Sequence, residues 1–508
     1  MAYKHWFVSR QKRQLTSILL ALIAYSDVCV GQKWNPALQL RLEDALGERQ
    51  ITAHGSLRAR KENAGGGGTR TLFKQMKDLG LVFLEDDTKK CRLTLIGEEL
   101  VKGNVTFVDA MRLQLSRYQY PSAAVWSGTG SVDHSFKVHP FQFLFRLLRD
   151  DRLQNTLTME EMSGIVIHHA TDDSQGTLEN VIGLILAFRN GGCGGFVPDT
   201  PTKTYHDIAN TFFNYISLTQ FTDRGQQTLH IRHGKEKDVE AFLGANTEFI
   251  SNPQLTENYQ RRFGRGFASR DLRNFNKDQL PSQKELDEAR IRREYVLLAL
   301  TTPITGITPD IVSAICSKTG IAEQTVERFL LSQYPHGNID DFFVSYREFA
   351  NMGRAFAREF EKATCEMFRK IFKMRAEHVG PIGNTPDVLI LSESENFCGI
   401  IDNKAYHKGY SISGDHKRVM EDVYIPNYQA YGSTKLPLAF FAYIAGSFKK
   451  TVNSQLQEIT RDTGISGSAM PVDVFINFAQ DYANGSCTHR TIKDLFSLNR
   501  EISLSDLP

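Results

Sequence analysis

Pro386-Asp387-Val388-Leu389-Ile390-Leu391, the polar stretch Ser392 to Asn396, and Phe397-Cys398-Gly399-Ile400-Ile401-Asp402-Asn403-Lys404 together decide the fold of this chain. Two short apolar, β-rich runs around a polar loop predict a hairpin. If its turn is centred between Ser394 and Glu395, Asp387 falls directly opposite Asp402. Opposed residues have Cβ atoms roughly 4.5–5.5 Å apart, so both carboxylates can grip one divalent cation. Side chains alternate along a strand, which puts Asp402 and Lys404 on one face and Asn403 on the other. Two carboxylates and an ammonium on one face suit metal-dependent hydrolysis of a phosphodiester. A surface hairpin with a solvated ion pair is the plainer reading. It does not explain why two apolar strands should end in charges at coordinated positions.

The flanking sequence supplies a frame. Phe356, Phe360, Ala363, Met367 and Ile371 recur at steps of three or four, predicting one long helix over Phe349–Phe372. Glu361 lies beside its apolar face and can point toward the hairpin; Glu366 on the same helix is the rival. Gly380 to Asn384 breaks the chain before the hairpin, and 419–431 reads as a helix or irregular crossover. Leu438–Ala445 reads as a strand buried on both faces. Phe448–Arg461 reads as a helix, and Val472–Phe478 as a closing strand. This order gives a mixed sheet flanked by helices, assigned to residues 341–508.

Upstream, Ile18–Tyr25 is apolar and follows basic residues, but Asp27 soon interrupts it, so a buried helix, read over Leu15–Tyr25, is expected rather than a signal peptide. After Gly65–Gly68, Leu72, Met76 and Leu79 mark a helix that Gly80 stops. Strands at Leu81–Leu84 and Cys91–Leu95, a turn at Asp86-Asp87 and a helix at Thr94–Lys102 complete a layout of helix, wing and helix. That layout, with the phrases at 79–82 and 93–100, resembles a winged helix, and is assigned to residues 1–135. A second such unit is assigned to 136–250. It comprises an apolar helix at Phe141–Leu148, a cap-like Thr158 with Glu161, a helix at Thr204–Ile216, and strands around an Asp223-Arg224-Gly225 turn. Residues 251–340 are read as a helical connector, basic and aromatic over 259–278.

The whole is read as an α/β and α+β multidomain protein of 508 residues. Its 60 Lys and Arg against 58 Asp and Glu leave almost no net charge, so any nucleic-acid face must come from local clustering. Seven scattered cysteines with no CxxC pair point to reduced thiols rather than a disulfide framework or zinc site. No stretch is long enough to span a membrane, and a cytoplasmic location is expected. His168-His169 is discounted as a metal site because adjacent side chains diverge. His407 and His416 follow the hairpin and can touch a phosphate, although polar loop histidines are more often simply solvated.

Glu361, Asp387, Asp402 and Lys404 in this order of elements resemble the PD-(D/E)xK nuclease superfamily. The phrase at 402–413, together with upstream winged-helix-like units, is similar to type IIS restriction endonucleases of the AlwI-like group. The resemblance implies an N-terminal region that reads a short asymmetric site on double-stranded DNA and a nuclease that cuts a fixed distance away. It implies Mg²⁺ held by Asp387, Asp402 and Glu361, Lys404 at the attacking water, and in-line attack leaving 5′-phosphate ends. It also implies transient dimerisation through the nuclease unit for double-strand cutting, nicking relatives, and a cognate DNA methyltransferase. Arg58, Arg60 and Arg70 around the glycine run, and Arg261, Arg262 and Arg265 in the basic segment, are the candidate DNA contacts. The alternatives are a repair or transposition nuclease of the same superfamily, and a winged-helix regulator without activity.

Overall fold

The computed structural model describes residues 4–9, 15–48, 67–126, 135–198, 204–225, 227–245, 247–275, 283–380, 385–406, 409–432 and 434–508. Arg58, Arg60 and His407 lie outside the described residues. The chain forms two compact units, Met1–Glu294 and Tyr295–Pro508, and the expected connector 251–340 is divided between them. No helix among the described residues is long and apolar enough to cross a membrane.

In the first unit the N-terminal apolar run is the helix Ser17–Cys29, with Ile18, Leu19 and Leu22 buried. The helix Gly67–Asp78 stops where Gly80 takes a left-handed φ of +71°. Strands β1 (Val82–Leu84) and β2 (Cys91–Leu93) pair antiparallel, Val82 opposite Leu93. The helix Leu95–Lys102 follows, its Thr94 hydroxyl accepting from the Gly97 N–H at 3.2 Å. Helix, hairpin and helix therefore stand where the pattern placed them.

The second half of this unit carries an extra strand. β3 (Thr156–Thr158) joins β4 (Thr222–Arg224) and β5 (Thr228–Ile231) in the order β3-β5-β4, all antiparallel. Thr158 does cap a helical turn reciprocally with Glu161, as its spacing predicts. Asp223 and Arg224, expected in the turn, belong to β4 instead. The cause is tertiary: buried Arg232 donates to the Asp223 carboxylate at 2.9 Å and holds it in the ladder.

The second unit is built on strands β6 (Arg375–His378), β7 (Val388–Ser392), β8 (Phe397–Lys404), β9 (Leu438–Ala445) and β10 (Ser466–Pro471). They form one sheet in the order β10-β9-β8-β7-β6. β6, β7 and β8 are antiparallel, whereas β8, β9 and β10 are parallel. Val388 faces Ile401 and Ser392 faces Phe397, the register expected for a turn centred between Ser394 and Glu395. Helices cover both faces. One core gathers Phe360, Met367 and Phe368 against Val388, Ile390, Ile401 and Phe440. The other gathers Leu389, Ile400, Phe441 and Tyr443 with Tyr410 and Leu456. Burial on both faces explains the continuous apolar runs of β7 and β9.

Two sequence expectations fail here. The helix expected over 349–372 is broken into Asp340–Asn351, a 3₁₀ turn at Gly353–Phe356, and Ala357–Lys370. Gly353 has φ +72°, which an α-helix cannot continue through. Val472–Phe478, expected as the closing strand, begins the helix Val472–Ala483. Its buried Val472, Phe475, Ile476 and Ala479 fit helical spacing as well as a strand. The closing strand is Ser466–Pro471, whose small residues carry little β propensity but pair along β9.

Candidate active site

The carboxyl end of β8 and the entry to β7 form the site. Asp387 immediately precedes β7 and Asp402 is the sixth residue of β8, so the hairpin register brings them across from each other. The backbone N–H of Asn403 donates to Asp387 Oδ2 at 2.6 Å, fixing that carboxylate against the neighbouring strand. Lys404 Nζ lies 2.7 Å from Asp402 Oδ2, two residues along the same face. Asp402 is almost fully buried and Lys404 is largely so.

Glu361 arrives from the helix Ala357–Lys370. Its Oε2 lies 3.0 Å from His378 Nε2 at the end of β6. Gly380 shows how close the acids come: a Cβ built there would sit 3.0 Å from Glu361 Oε2 and 3.3 Å from Asp387 Oδ1. The absence of a side chain at 380 therefore lets the two carboxylates converge. Glu366, the rival on the same helix, pairs with Arg369 at 3.0 Å instead.

Among the described residues, Asp387, Asp402 and Glu361 thus lie near Lys404 and His378. Asp387 bears the consequence: burial first, then the charges of Asp402 and Glu361, push its carboxyl well above the ordinary carboxylate range, against the opposing pull of Lys404. For Lys404, burial works against the charged form, but Asp402 and Asp387 outweigh it and raise the ammonium overall. Among the described residues, no three His, Cys, Asp or Glu side chains are drawn together as ligands of one metal ion. Asp402 is engaged by Lys404, and Glu361 by His378.

The opposite face of β8 carries Asn403, as alternation predicts, and it has a task there. Its Nδ2 donates to Thr364 Oγ1 at 2.6 Å, and Thr364 Oγ1 is 2.7 Å from Tyr346 OH. Thr364 lies on the same helix as Glu361, three residues further on. Asn403 therefore ties the strand of Asp402 and Lys404 to the helix of Glu361, while its backbone holds Asp387.

His378, Tyr410 and Tyr424 carry no sequence signal, whereas His416 is already a candidate beside the hairpin. Tyr410 stacks near Lys404, its ring 6.0 Å from Nζ, and its hydroxyl is 2.8 Å from His416 Nδ1. Burial and the nearby Lys404 lower His416 below its ordinary value. Tyr424 lies close enough to the acids that burial, then Asp402 and Asp387, raise its hydroxyl. His378 sits on a four-residue strand too short for a period to show. Tyr424 closes a π-helical turn, Met420–Tyr424, which no local pattern announces.

The candidate DNA contacts divide. Arg70 is exposed on the helix Gly67–Asp78. Arg261 is taken up by Glu257 at 3.1 Å and the Arg273 carbonyl at 2.6 Å, and Arg262 pairs with Glu248 at 2.8 Å. Arg265 donates to the Ser269 carbonyl at 3.1 Å and, among the described residues, pairs with no carboxylate. His168 and His169 diverge: His168 packs against His5 and Tyr205, while His169 Nε2 meets the Gly195 carbonyl at 2.6 Å.

Comparison with known proteins meets this geometry in the second unit. Residues 320–503 match the family model described as FokI, cleavage domain. The chain is 26% identical over 146 residues to Type II restriction enzyme StsI of Streptococcus sanguinis, covering 27% of this chain and 24% of that enzyme. The alignment thus spans about a quarter of that relative's length. Among solved structures, restriction endonuclease FokI is 13% identical with a TM-score of 0.31, covering 99% of this chain and 100% of FokI. The BpuJ1 endonuclease binding domain, solved with pyrene- and phenanthrene-modified DNA, is 12% identical with a TM-score of 0.35. It covers 57% of this chain and 95% of that domain.

Proposed function

We propose that this chain is a type II restriction endonuclease of type IIS. In this reading the first unit binds a short asymmetric site on duplex DNA and the second hydrolyses phosphodiester bonds a fixed distance away. The observation that carries the proposal is the convergence of Asp387, Asp402, Lys404 and Glu361 at one end of a mixed sheet. The match of residues 320–503 to the FokI cleavage domain, and the partial match of the chain to StsI, support it. The helix, hairpin and helix at 67–102 support a winged-helix reading of the first unit. The finer grouping with AlwI-like enzymes rests on the phrase at 402–413 taken with the winged-helix-like units upstream, whereas the matched family model is that of the FokI cleavage domain.

The donor set fits Mg²⁺. Carboxylate oxygens are the hard ligands it prefers, and the unbalanced negative charge around Asp387 is what a divalent cation relieves. Asp387 and Asp402 would hold it, with Glu361 directly or through water. Once bound, the ion would polarise the phosphate and lower the pKa of a bound water. Lys404 positions the attacking water and stabilises charge gathering on the phosphoryl oxygens. Tyr410 and His416 shield one side of Lys404 and keep it near Asp402. The resemblance to PD-(D/E)xK enzymes adds in-line attack and 5′-phosphate ends. One such site cuts one strand per engagement, so double-strand cleavage calls for a second copy of the unit. A cognate methyltransferase would protect host sites.

Incubating the purified chain with plasmid and Mg²⁺, then sequencing the ends, tests this. Discrete ends at a constant offset from one short sequence are expected. Nicked circles only would identify a strand-specific nickase; a smear would favour a repair-type nuclease; no cutting with either Mg²⁺ or Mn²⁺ would leave a DNA-binding regulator.

Asn403 gives a further expectation. Asn403→Ala removes the Thr364 bond but keeps the backbone N–H to Asp387. Losing a buried hydrogen bond costs about 1–3 kcal/mol of stability. Cleavage should fall by about 10–100-fold, of the order seen when partners that orient metal ligands are lost, with the Mg²⁺ concentration for half-maximal rate raised. An unchanged Mg²⁺ dependence would mean that Asn403 serves only the core.

A further inference from the structure

The segment 265–272 of the first unit exposes two large apolar side chains, Phe267 at 73% and Leu272 at 71%. Its flanks are firmly held. The Ile96 N–H donates to the Gly264 carbonyl at 3.0 Å. Arg273 donates to the Asp271 carboxylate at 2.7 and 2.9 Å and to the Leu93 carbonyl at 3.1 Å, and pairs with Glu98. Phe275 packs beneath the guanidinium groups of Arg92, Arg261 and Arg273. Much of the basic, aromatic character of 259–275 is thus spent on anchoring the loop to the β1–β2 hairpin and its following helix.

Arg270 is exposed on the loop, and two further arginines, Arg117 and Arg265, lie at its base. Arg117, at the end of the helix Phe107–Arg117, donates to the Gly266 carbonyl at 2.6 Å, which brings its guanidinium against the base of the loop. Arg265 lies close enough to repel it: burial, then Arg265, lower Arg117 to about 10. Arg265 Nε is buried with no hydrogen-bond partner. Among the described residues neither arginine has a carboxylate partner, unlike Arg261, Arg262 and Arg273. Two guanidinium groups held together without a counter-charge make an anion site, and arginine's planar fork suits phosphate oxygens. Phe267, which follows Gly266 in the chain and is exposed, offers a flat apolar ring to whatever carries that anion. Phosphate flanked by an apolar ring face is the chemistry of a nucleic-acid strand.

We propose that Arg117 and Arg265 grip one backbone phosphate of duplex DNA while Phe267 lies against the adjacent nucleotide, making the 265–272 loop a DNA-contacting element of the first unit. This rests on the DNA-binding part of the proposed function and names a site within it. Arg117 lies outside the basic segment in sequence, so only the fold brings it there.

The test uses the full chain and a labelled, mixed-sequence duplex in EDTA, with binding followed by anisotropy over a range of salt. Each phosphate contact contributes about 0.9 to the slope of log affinity against log salt. The double variant Arg117→Gln/Arg265→Gln should lower that slope by about one, and Arg117→Lys with Arg265 intact should keep it. Phe267→Ala should weaken binding by about fivefold or more at fixed salt, with the slope unchanged. Arg152→Gln, which breaks an exposed pair with Asp150, is the control and should bind as wild type. If the double variant and Phe267→Ala both bind as wild type does, the loop is not a DNA contact and the proposal falls, whereas the functional reading stands. Wild type that binds no duplex at any salt would overturn the functional reading itself.

Discussion

Replacing Lys404 with alanine is expected to slow phosphodiester cleavage by about 10²–10³-fold and to leave duplex affinity unchanged. The ammonium lies 2.7 Å from Asp402 and is held there by burial beneath Tyr410. Among the described residues it is the lysine paired with the site's carboxylates, so its loss leaves developing phosphoryl charge unanswered. Lys404→Arg should not restore the rate, because a planar fork cannot occupy the place of a compact ammonium packed against Asp402. Single-turnover cleavage of plasmid, with a mobility shift measured in parallel, reads both effects. Wild-type cleavage by Lys404→Ala would remove this residue from the chemistry.

Asp387→Asn should have opposite effects on activity and stability. Cleavage should drop by about 10³-fold, since a Lewis acid supplies several kcal/mol to such a reaction. The metal-free protein should nevertheless unfold at a higher temperature than wild type. Asparagine keeps an acceptor for the Asn403 N–H but removes a charge that burial, Asp402 and Glu361 all disfavour. Adding Mg²⁺ should then stabilise wild type and have little effect on the variant, which thermal melts in EDTA and in Mg²⁺ compare directly. If Asp387→Asn melted lower than wild type without metal, the carboxylate would be a structural element rather than a strained site.

These two expectations start from residues that the linear sequence already singled out, and the reason is geometric. A hairpin between apolar strands allows few registers, and the charged ends of 387 and 402–404 are opposed only in the one observed. Glu361 is legible because its helix has a strong apolar face, whereas a single glycine at 353 does not mark the break that its left-handed φ makes. The identity of β10 was hidden because Ser466–Pro471 is a strand by virtue of its neighbour β9, not its own composition. His378, Tyr410 and Tyr424 come from short or irregular pieces, whose positions depend on tertiary packing. Arg261 and Arg262 illustrate the converse: a basic run suggested DNA, yet their charges are answered within the protein by Glu257 and Glu248.

The parallel neighbour of β8 has a further consequence. Asp402, Asn403 and Lys404 are aligned along Tyr443, Ile444 and Ala445, residues made some forty positions later. A nascent chain that stops short of β9 lacks the support that holds Asp402 and Lys404 in place. The proposed site can therefore assemble only after the chain has been made through Ala445, so that its completion waits on a strand that supplies none of its charges.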